Sequence, residues 1–116
     1  MSEINNLIKI QKSVCARFQA EFFESKNDLK VGIALQTLGQ NPLNALRHPP
    51  ESDTSGWYIW AGEQMSDDVN FFQPLHVMHL SNYVPELLPY LGLAPGWRVL
   101  LANKYEDVWY DESLLK

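Results

Sequence analysis

The fold of this chain is constrained most by one aromatic run, Ser55-Gly56-Trp57-Tyr58-Ile59-Trp60-Ala61-Gly62-Glu63. The run places three aromatic residues and an isoleucine between two glycines, and such residues favour the half-buried surface of a sheet. It therefore predicts a central β-strand. Gly56 and Gly62 can take backbone conformations that other residues avoid, so we expect them to mark where the chain enters and leaves the sheet.

A long helix is predicted at the N-terminus. From Ile4 to about Ser25 the apolar residues recur at spacings of three, four and seven, which draws one stripe along a helix. We expect this stripe to pack against the sheet. Cys15, the only cysteine, lies in the stripe between Val14 and Phe18. It cannot form an intramolecular disulfide, and we expect a buried, unreactive thiol.

Two further strands are predicted near the C-terminus, at Trp97–Ala102 and Asp107–Tyr110. Few polar residues separate them, which indicates an antiparallel hairpin. Before the hairpin, Ser81 or Asn82 can cap a short second helix that has Pro85 in its first turn.

Residues 30–47 allow two interpretations. Val31, Ile33 and Leu35 alternate as in a half-buried strand, which we favour, but the same stretch fits a short helix closed by Gly39. The chain contains no linker, internal repeat or low-complexity tract. We therefore expect one α+β domain spanning residues 1–116, a small antiparallel sheet with the long N-terminal helix and the short second helix packed on it.

Charge is distributed unevenly along the 116 residues. The formal net charge is −5, and after residue 47 ten acidic side chains face only three basic ones. An acidic surface repels phosphate groups, so no nucleic-acid partner is expected. No run approaches the roughly 20 apolar residues of a membrane helix, and the N-terminus lacks the basic start of a secretory signal. We therefore expect no membrane association and a cytoplasmic location.

Motifs for catalysis are not evident. His76 and His79 are three residues apart, which on a helix places both rings on one face, as in some zinc sites. No HExxH or CxxC motif accompanies them, and neither a Gly-x-Ser-x-Gly motif nor a glycine-rich phosphate loop occurs. We interpret both histidines as ordinary hydrogen-bonded side chains and expect no metal, no cofactor and no enzymatic activity.

The segment from Tyr105 to Asp111 mixes aromatic and acidic residues. Strand alternation sends Val108 and Tyr110 to one face and Asp107, Trp109 and Asp111 to the other. A tryptophan framed by carboxylates suits a protein partner, because aromatic anchors dominate binding energy while charges steer the encounter. The alternative is that the helix of this chain covers Trp109.

Several short motifs in the second half resemble one family. They are Ser55-Gly56-Trp57, Gly62-Glu63, Leu75-His76-Val77, His79-Leu80, Pro85 to Leu91, Pro95-Gly96-Trp97-Arg98 and Glu106-Asp107-Val108-Trp109-Tyr110-Asp111. Over about Ala45 to Leu115 the chain resembles family thirty-three of the immunity proteins of bacterial polymorphic-toxin systems, the Imm33-like domain. This resemblance implies a cytosolic protein, monomer or homodimer, that neutralises a cognate toxin by binding it and catalyses nothing.

The acidic second half fits such a role. Many antibacterial toxins that attack nucleic acids have basic clefts, and a carboxylate-rich surface can plug one by mimicking phosphate. The candidate partner-binding residues are Glu63, Asp67, Asp68, Glu106, Asp107 and Trp109. Two other functions stay open: a small metal-dependent hydrolase that uses His76 and His79, and an adaptor subunit.

Overall fold

The computed structural model describes residues 2–115, with side chains from Asn6 onwards. One α-helix and six strands form the framework: α1 (Ser2–Phe18), β1 (Lys30–Ile33), β2 (Leu43–Arg47), β3 (Thr54–Ala61), β4 (Gln73–His76), β5 (Trp97–Ala102) and β6 (Tyr105–Tyr110). Short 3₁₀ segments occur at Leu35–Thr37, Val77–Asn82, Pro85–Tyr90 and Glu112–Leu115.

The strands form one sheet in the order β4-β1-β3-β2-β5-β6. All neighbouring pairs are antiparallel except β1 and β3, which are parallel. The predicted α+β class is therefore confirmed, and β3 occupies the interior position expected of the aromatic run. The hairpin of β5 and β6 is also confirmed, although β6 begins at Tyr105, two residues earlier than predicted.

The two faces of the sheet are covered differently. On the helix-covered face, α1 and residues 77–91 pack over Trp57, Ile59 and Val99 to form the main core. On the opposite side, which we call the second face, a smaller apolar cluster contains Leu46, Trp60, Phe71 and Leu114. Alternation along the strands divides the side chains between these two faces.

Residues 30–47 contain both of the predicted alternatives. Val31 and Ile33 are buried in strand β1, which agrees with the favoured interpretation. Leu35, predicted to continue the strand, instead begins the 3₁₀ segment Leu35–Thr37. β2 follows and inserts between β3 and β5.

The predicted second helix is short, as expected, but it is 3₁₀ rather than α-helical. The segment begins at Pro85 after Val84, with no side-chain cap, so the predicted cap by Ser81 or Asn82 is wrong. Pro89 lies inside the segment. It has no N–H to continue an α-helical ladder, which explains why the chain does not form a longer helix here.

The N-terminal helix ends at Phe18, not near Ser25 as predicted. Gln19 takes a left-handed conformation with φ 58°. Its N–H donates to the carbonyl of Ala16, while the N–H of Ala20 donates to the carbonyl of Cys15 at 2.8 Å. These two bonds define a Schellman motif, which closes the helix. Phe22, predicted to lie on the helical stripe, instead pairs with Leu93 in an extended segment.

Replacing Gln19 with glycine is expected to stabilise the protein by roughly 0.5–1 kcal/mol. A glycine pays no steric penalty at positive φ, whereas an L side chain does, and Gln19 is exposed. Urea denaturation followed by tryptophan fluorescence measures the change, and Gln19→Ala serves as the matched control because alanine keeps the Cβ atom. An unchanged or lowered midpoint for Gln19→Gly would contradict the assigned helix end.

Gly56 lies inside β3, not at its entry as predicted. Its φ is 93°, and the pairing with β1 shifts register beside it, so β3 bulges at this point. A Cβ atom at this position would lie 1.9 Å from the carbonyl oxygen of His48. Gly62 has φ 98° and follows the last residue of β3, as predicted.

Arg47, at the end of β2, is fully buried on the helix-covered face. Its guanidinium donates to the carbonyls of Ser55 at 2.9 Å, Phe23 at 2.7 Å and Leu93 at 2.8 Å, and it lies 5.5 Å from the ring of Trp57. Burial lowers the pKa of Arg47 to about 10. This side chain therefore joins three separate parts of the backbone to the centre of the sheet.

Candidate functional site

The loop between β3 and β4 contains three of the candidate acids. Glu63, Asp67 and Asp68 are all exposed, and none of them takes part in the ion pairs found among residues 2–115. Asp68 orders its end of the loop, because its carboxylate accepts the N–H of Asn70 and its own N–H donates to the Ser66 hydroxyl. The loop therefore presents carboxylates that no basic side chain of the described chain neutralises.

Two phenylalanines anchor this acidic loop to the second face. Phe71 is buried, and Phe72 makes edge-to-face contacts with Tyr58 and Trp60, with ring centroids 5.2 and 6.3 Å apart. Just before the anchor, Val69 is 92% exposed. Met65 in the same loop is 51% exposed, so two apolar side chains accompany the carboxylates here.

Asp107 and Trp109 lie on the second face of β6. The predicted alternation agrees with the register, since Val108 pairs with Val99 and packs against the main core on the other side. α1 packs on that other side too, so the helix does not cover Trp109. The guanidinium of Arg98 instead lies 5.4 Å from the centroid of the Trp109 ring. We call the exposed part of the second face formed by Arg98, Leu100, Tyr105, Asp107 and Trp109 the open half-face.

Arg98 links the open half-face to the C-terminal segment. Its side chain donates to Asp111 at 3.1 Å, and Asp111 also accepts the hydroxyl of Ser113 at 2.6 Å. These hydrogen bonds, the one from Ser113 first and that from Arg98 second, lower the pKa of Asp111. Trp109 therefore packs against a guanidinium whose position is fixed by Asp111, and its side chain is half-buried.

Glu106 does not belong with the other candidates, because it faces the opposite side of β6. It forms an ion pair with Arg17 of α1 at 2.6 Å and accepts a hydrogen bond from the hydroxyl of Tyr90. These contacts, the one to Tyr90 first, lower the pKa of Glu106. Burial and then the Glu106 carboxylate raise the pKa of Tyr90 to about 12. Glu106 therefore ties α1 and the segment Pro85–Tyr90 to the edge of the sheet.

His76 ends β4, and His79 lies in the following segment Val77–Asn82. Their ring centroids are 6.2 Å apart, with the planes tilted by 51°. Within residues 2–115, no group of three or more histidine, cysteine, aspartate or glutamate side chains is placed to hold a metal ion.

The thiol of Cys15 is buried, as predicted. It is 3% exposed and donates to the carbonyl of Gly92 at 3.4 Å. Burial raises the pKa of Cys15. A thiol in this state is a poor nucleophile, because only the thiolate reacts readily.

Two cavities flank the helix-covered side. One of about 460 Å³ lies between α1 and residues 77–91, and one of about 430 Å³ lies at the end of the sheet beside Tyr83 and Glu86. Among the described lining residues, neither cavity contains a histidine, lysine or arginine.

Within residues 2–115, no helix has the length and apolar character needed to span a membrane.

The structure thus defines a small α+β domain whose distinctive chemistry lies on its outer surface, in free carboxylates and exposed apolar side chains. The model of the Imm33-like domain family matches residues 10–111, and the chain belongs to this family. The match confirms the resemblance and extends it into α1. Membership indicates an immunity-type protein, a class that in general has a toxin as its partner. No curated protein and no solved structure matches the chain.

Proposed function

We propose that this chain is an immunity protein that binds and neutralises a cognate bacterial toxin in the cytoplasm. Residues 1–116 act as one domain, as a monomer or homodimer, and the inhibition is stoichiometric with no catalysis by the chain itself. The toxin presents a basic surface, such as a cleft that otherwise binds nucleic acid. Family membership supports the immunity role, and the charge arrangement supports the chemistry of the partner surface.

The observation on which the proposal rests is the position of unpaired acids on the β3–β4 loop and on the second face. Asp53, Glu106 and Asp111 are matched by Lys30, Arg17 and Arg98. Asp67, Asp68 and Asp107 are exposed, and no ion pair among residues 2–115 includes them. In the free protein, unpaired surface carboxylates repel each other, and the binding of a basic partner relieves that repulsion.

Apolar groups stand beside these acids. Val69 and Met65 project from the acidic loop, with 92% and 51% of their surface exposed, and Trp109 lies half-buried on the open half-face. In a protein interface, desolvated apolar anchors supply most of the affinity, while surrounding charges accelerate and orient association. These exposed acids and apolar groups support a role in toxin binding for the second face and the acidic loop.

Co-expression tests the proposal. Toxin domains encoded beside this gene are produced in a susceptible bacterial strain with and without the chain, and growth and copurification are measured. We expect full growth only when the chain is present, and a stable complex on gel filtration. Copurification with a resident, non-toxic partner would favour an adaptor, and stoichiometric zinc in the purified protein would favour the hydrolase; either result without protection contradicts the immunity role.

A further inference from the structure

We propose that the outer edge of β6 pairs with a basic β-strand of the toxin, which joins the sheet as a seventh strand. This inference rests on the proposed function and specifies how the partner is held. Strand addition to an exposed edge uses main-chain hydrogen bonds for affinity and flanking side chains for specificity.

The two edges of the sheet differ in their capacity for such pairing. β4 has four residues and contains Pro74, which has no N–H to donate. β6 has six residues, contains neither proline nor lysine, and pairs with β5 from Trp97–Tyr110 to Ala102–Tyr105 without a shift in register. Natural sheets usually protect an edge of this length with a bulge, a proline or a lysine. The β4 edge has such protection in Pro74, whereas the charged side chains of the β6 edge are carboxylates, which oppose an acidic strand but not a basic one.

The free hydrogen-bonding groups of β6 follow from the turn that precedes it. Asn103 and Lys104 form a two-residue turn, so Ala102 and Tyr105 close it as a hydrogen-bonded pair. At the other end, the N–H of Asp111 donates to the carbonyl of Gly96 at 2.7 Å. Hydrogen-bonded pairs recur at every second residue of an antiparallel pair, so the odd-numbered residues of β6 bond to β5. The N–H and C=O groups of Glu106, Val108 and Tyr110 therefore point away from β5.

The side chains along this edge select a basic partner over a second copy of the chain. Asp107 on the strand and Glu112 two residues beyond it are exposed and take part in no ion pair among the described residues, and each copy has a formal net charge of −5. Pairing two such edges would bring like charges together, which opposes association. A strand with lysine or arginine meets these carboxylates favourably. Tyr105 and Tyr110, with 56% and 50% of their surface exposed, provide apolar contact on the two faces.

Hydrogen exchange on the wild-type chain tests the inference directly. The probes are a peptide of alternating lysine and valine and a control peptide of alternating glutamate and valine. With the lysine peptide we expect exchange at the amides of Glu106, Val108 and Tyr110 to slow by about tenfold or more, because these groups become hydrogen-bonded. The amides of Asp107 and Trp109, already paired with β5, should change little. Absence of binding, or binding that leaves the three outward amides unprotected, overturns the inference.

A matched pair of variants provides the second arm. Val108→Pro removes an outward N–H and no hydrogen bond to β5, whereas Val108→Ala shortens the same side chain and keeps the N–H. We expect Val108→Pro to weaken toxin binding at least about tenfold relative to Val108→Ala, with both variants folded by circular dichroism.

Equal toxin affinities of the two variants contradict edge pairing and leave the immunity role intact. If the wild-type protein does not protect cells against the toxin, the immunity role is contradicted. The hydrogen-exchange experiment with the peptides then tests, by itself, whether β6 pairs with a basic strand. Dimerisation through β6, detected by ultracentrifugation and lost in Val108→Pro, would identify a second copy as the occupant and overturn the inference.

Discussion

Replacing Arg47 with methionine is expected to lower the free energy of unfolding by about 3–5 kcal/mol, a large part of the stability of a domain of this size. Methionine fills a similar volume but donates no hydrogen bond. The buried carbonyls of Ser55 and Leu93 would then lack this donor, and the part-buried carbonyl of Phe23 would lose it as well. A buried polar group left unpaired costs about 1–3 kcal/mol, and hydrogen bonds from a charged donor lie at the upper end of the range.

Two further variants separate this effect from the loss of a positive charge. Arg47→Lys keeps the charge but cannot reproduce the planar fork that reaches several carbonyls at once, so we expect it to be strongly destabilised as well. Arg17→Met removes a surface ion pair with Glu106 and should cost less than about 1 kcal/mol. Urea denaturation followed by tryptophan fluorescence compares the three proteins. A loss below about 1 kcal/mol for Arg47→Met would show that water or a rearranged backbone satisfies these carbonyls.

Charge reversal of the acidic loop is expected to give the largest effect on function. In an Asp67→Lys, Asp68→Lys variant we expect the association rate with the toxin to fall by about 10- to 100-fold at low salt, because steering by opposite charges is replaced by repulsion. Both side chains are exposed. The difference from wild type should shrink as salt is added, since screening weakens long-range charge interactions.

The matched control is Glu21→Lys with Asp28→Lys. These two acids are also exposed and in no ion pair among the described residues, but they lie in the segment that follows α1, away from the acidic loop. The two double variants have the same net charge, so only the position of the change differs. Stopped-flow association and growth protection by each variant distinguish them. Equal association rates would mean that net charge, and not the acidic loop, determines the encounter.

Local sequence patterns predicted the parts of the fold that depend on neighbouring residues. The aromatic run Ser55–Glu63 contains most of β3, and the apolar residues of Trp97–Ala102 form β5. In both strands, side chains that favour a sheet are also side chains that are buried in the core. The parallel pairing of β1 with β3 and the position of β2 between β3 and β5 could not be predicted, because they depend on contacts between residues far apart in sequence.

Two other differences have local causes. The end of α1 has no signal in the sequence, because Gln19 adopts a left-handed conformation that is usual for glycine and not for glutamine. The burial of Arg47 has no local signal either, because a charged side chain is usually exposed.

The residue types of the candidate site could be predicted from the sequence, but the positions of several of them could not. Asp107 and Trp109 share one face, as strand alternation predicts, whereas the same alternation places the third candidate of this strand, Glu106, on the other face. Its contacts to Arg17 and Tyr90 come from α1 and from residues 85–90, which local pattern cannot place. The position of the acidic loop beside the second face depends on Phe71 and Phe72, whose packing partners Tyr58 and Trp60 precede them by more than ten residues.

Pro74 in the outermost strand has a consequence for how large any assembly can grow. A filament of sheets needs two receptive borders on each molecule, one to accept the preceding unit and one to accept the next. With Pro74 on one border, this molecule has a single receptive one. Edge-to-edge pairing of strands between molecules therefore cannot propagate beyond two copies, so an exposed β6 does not seed a fibre.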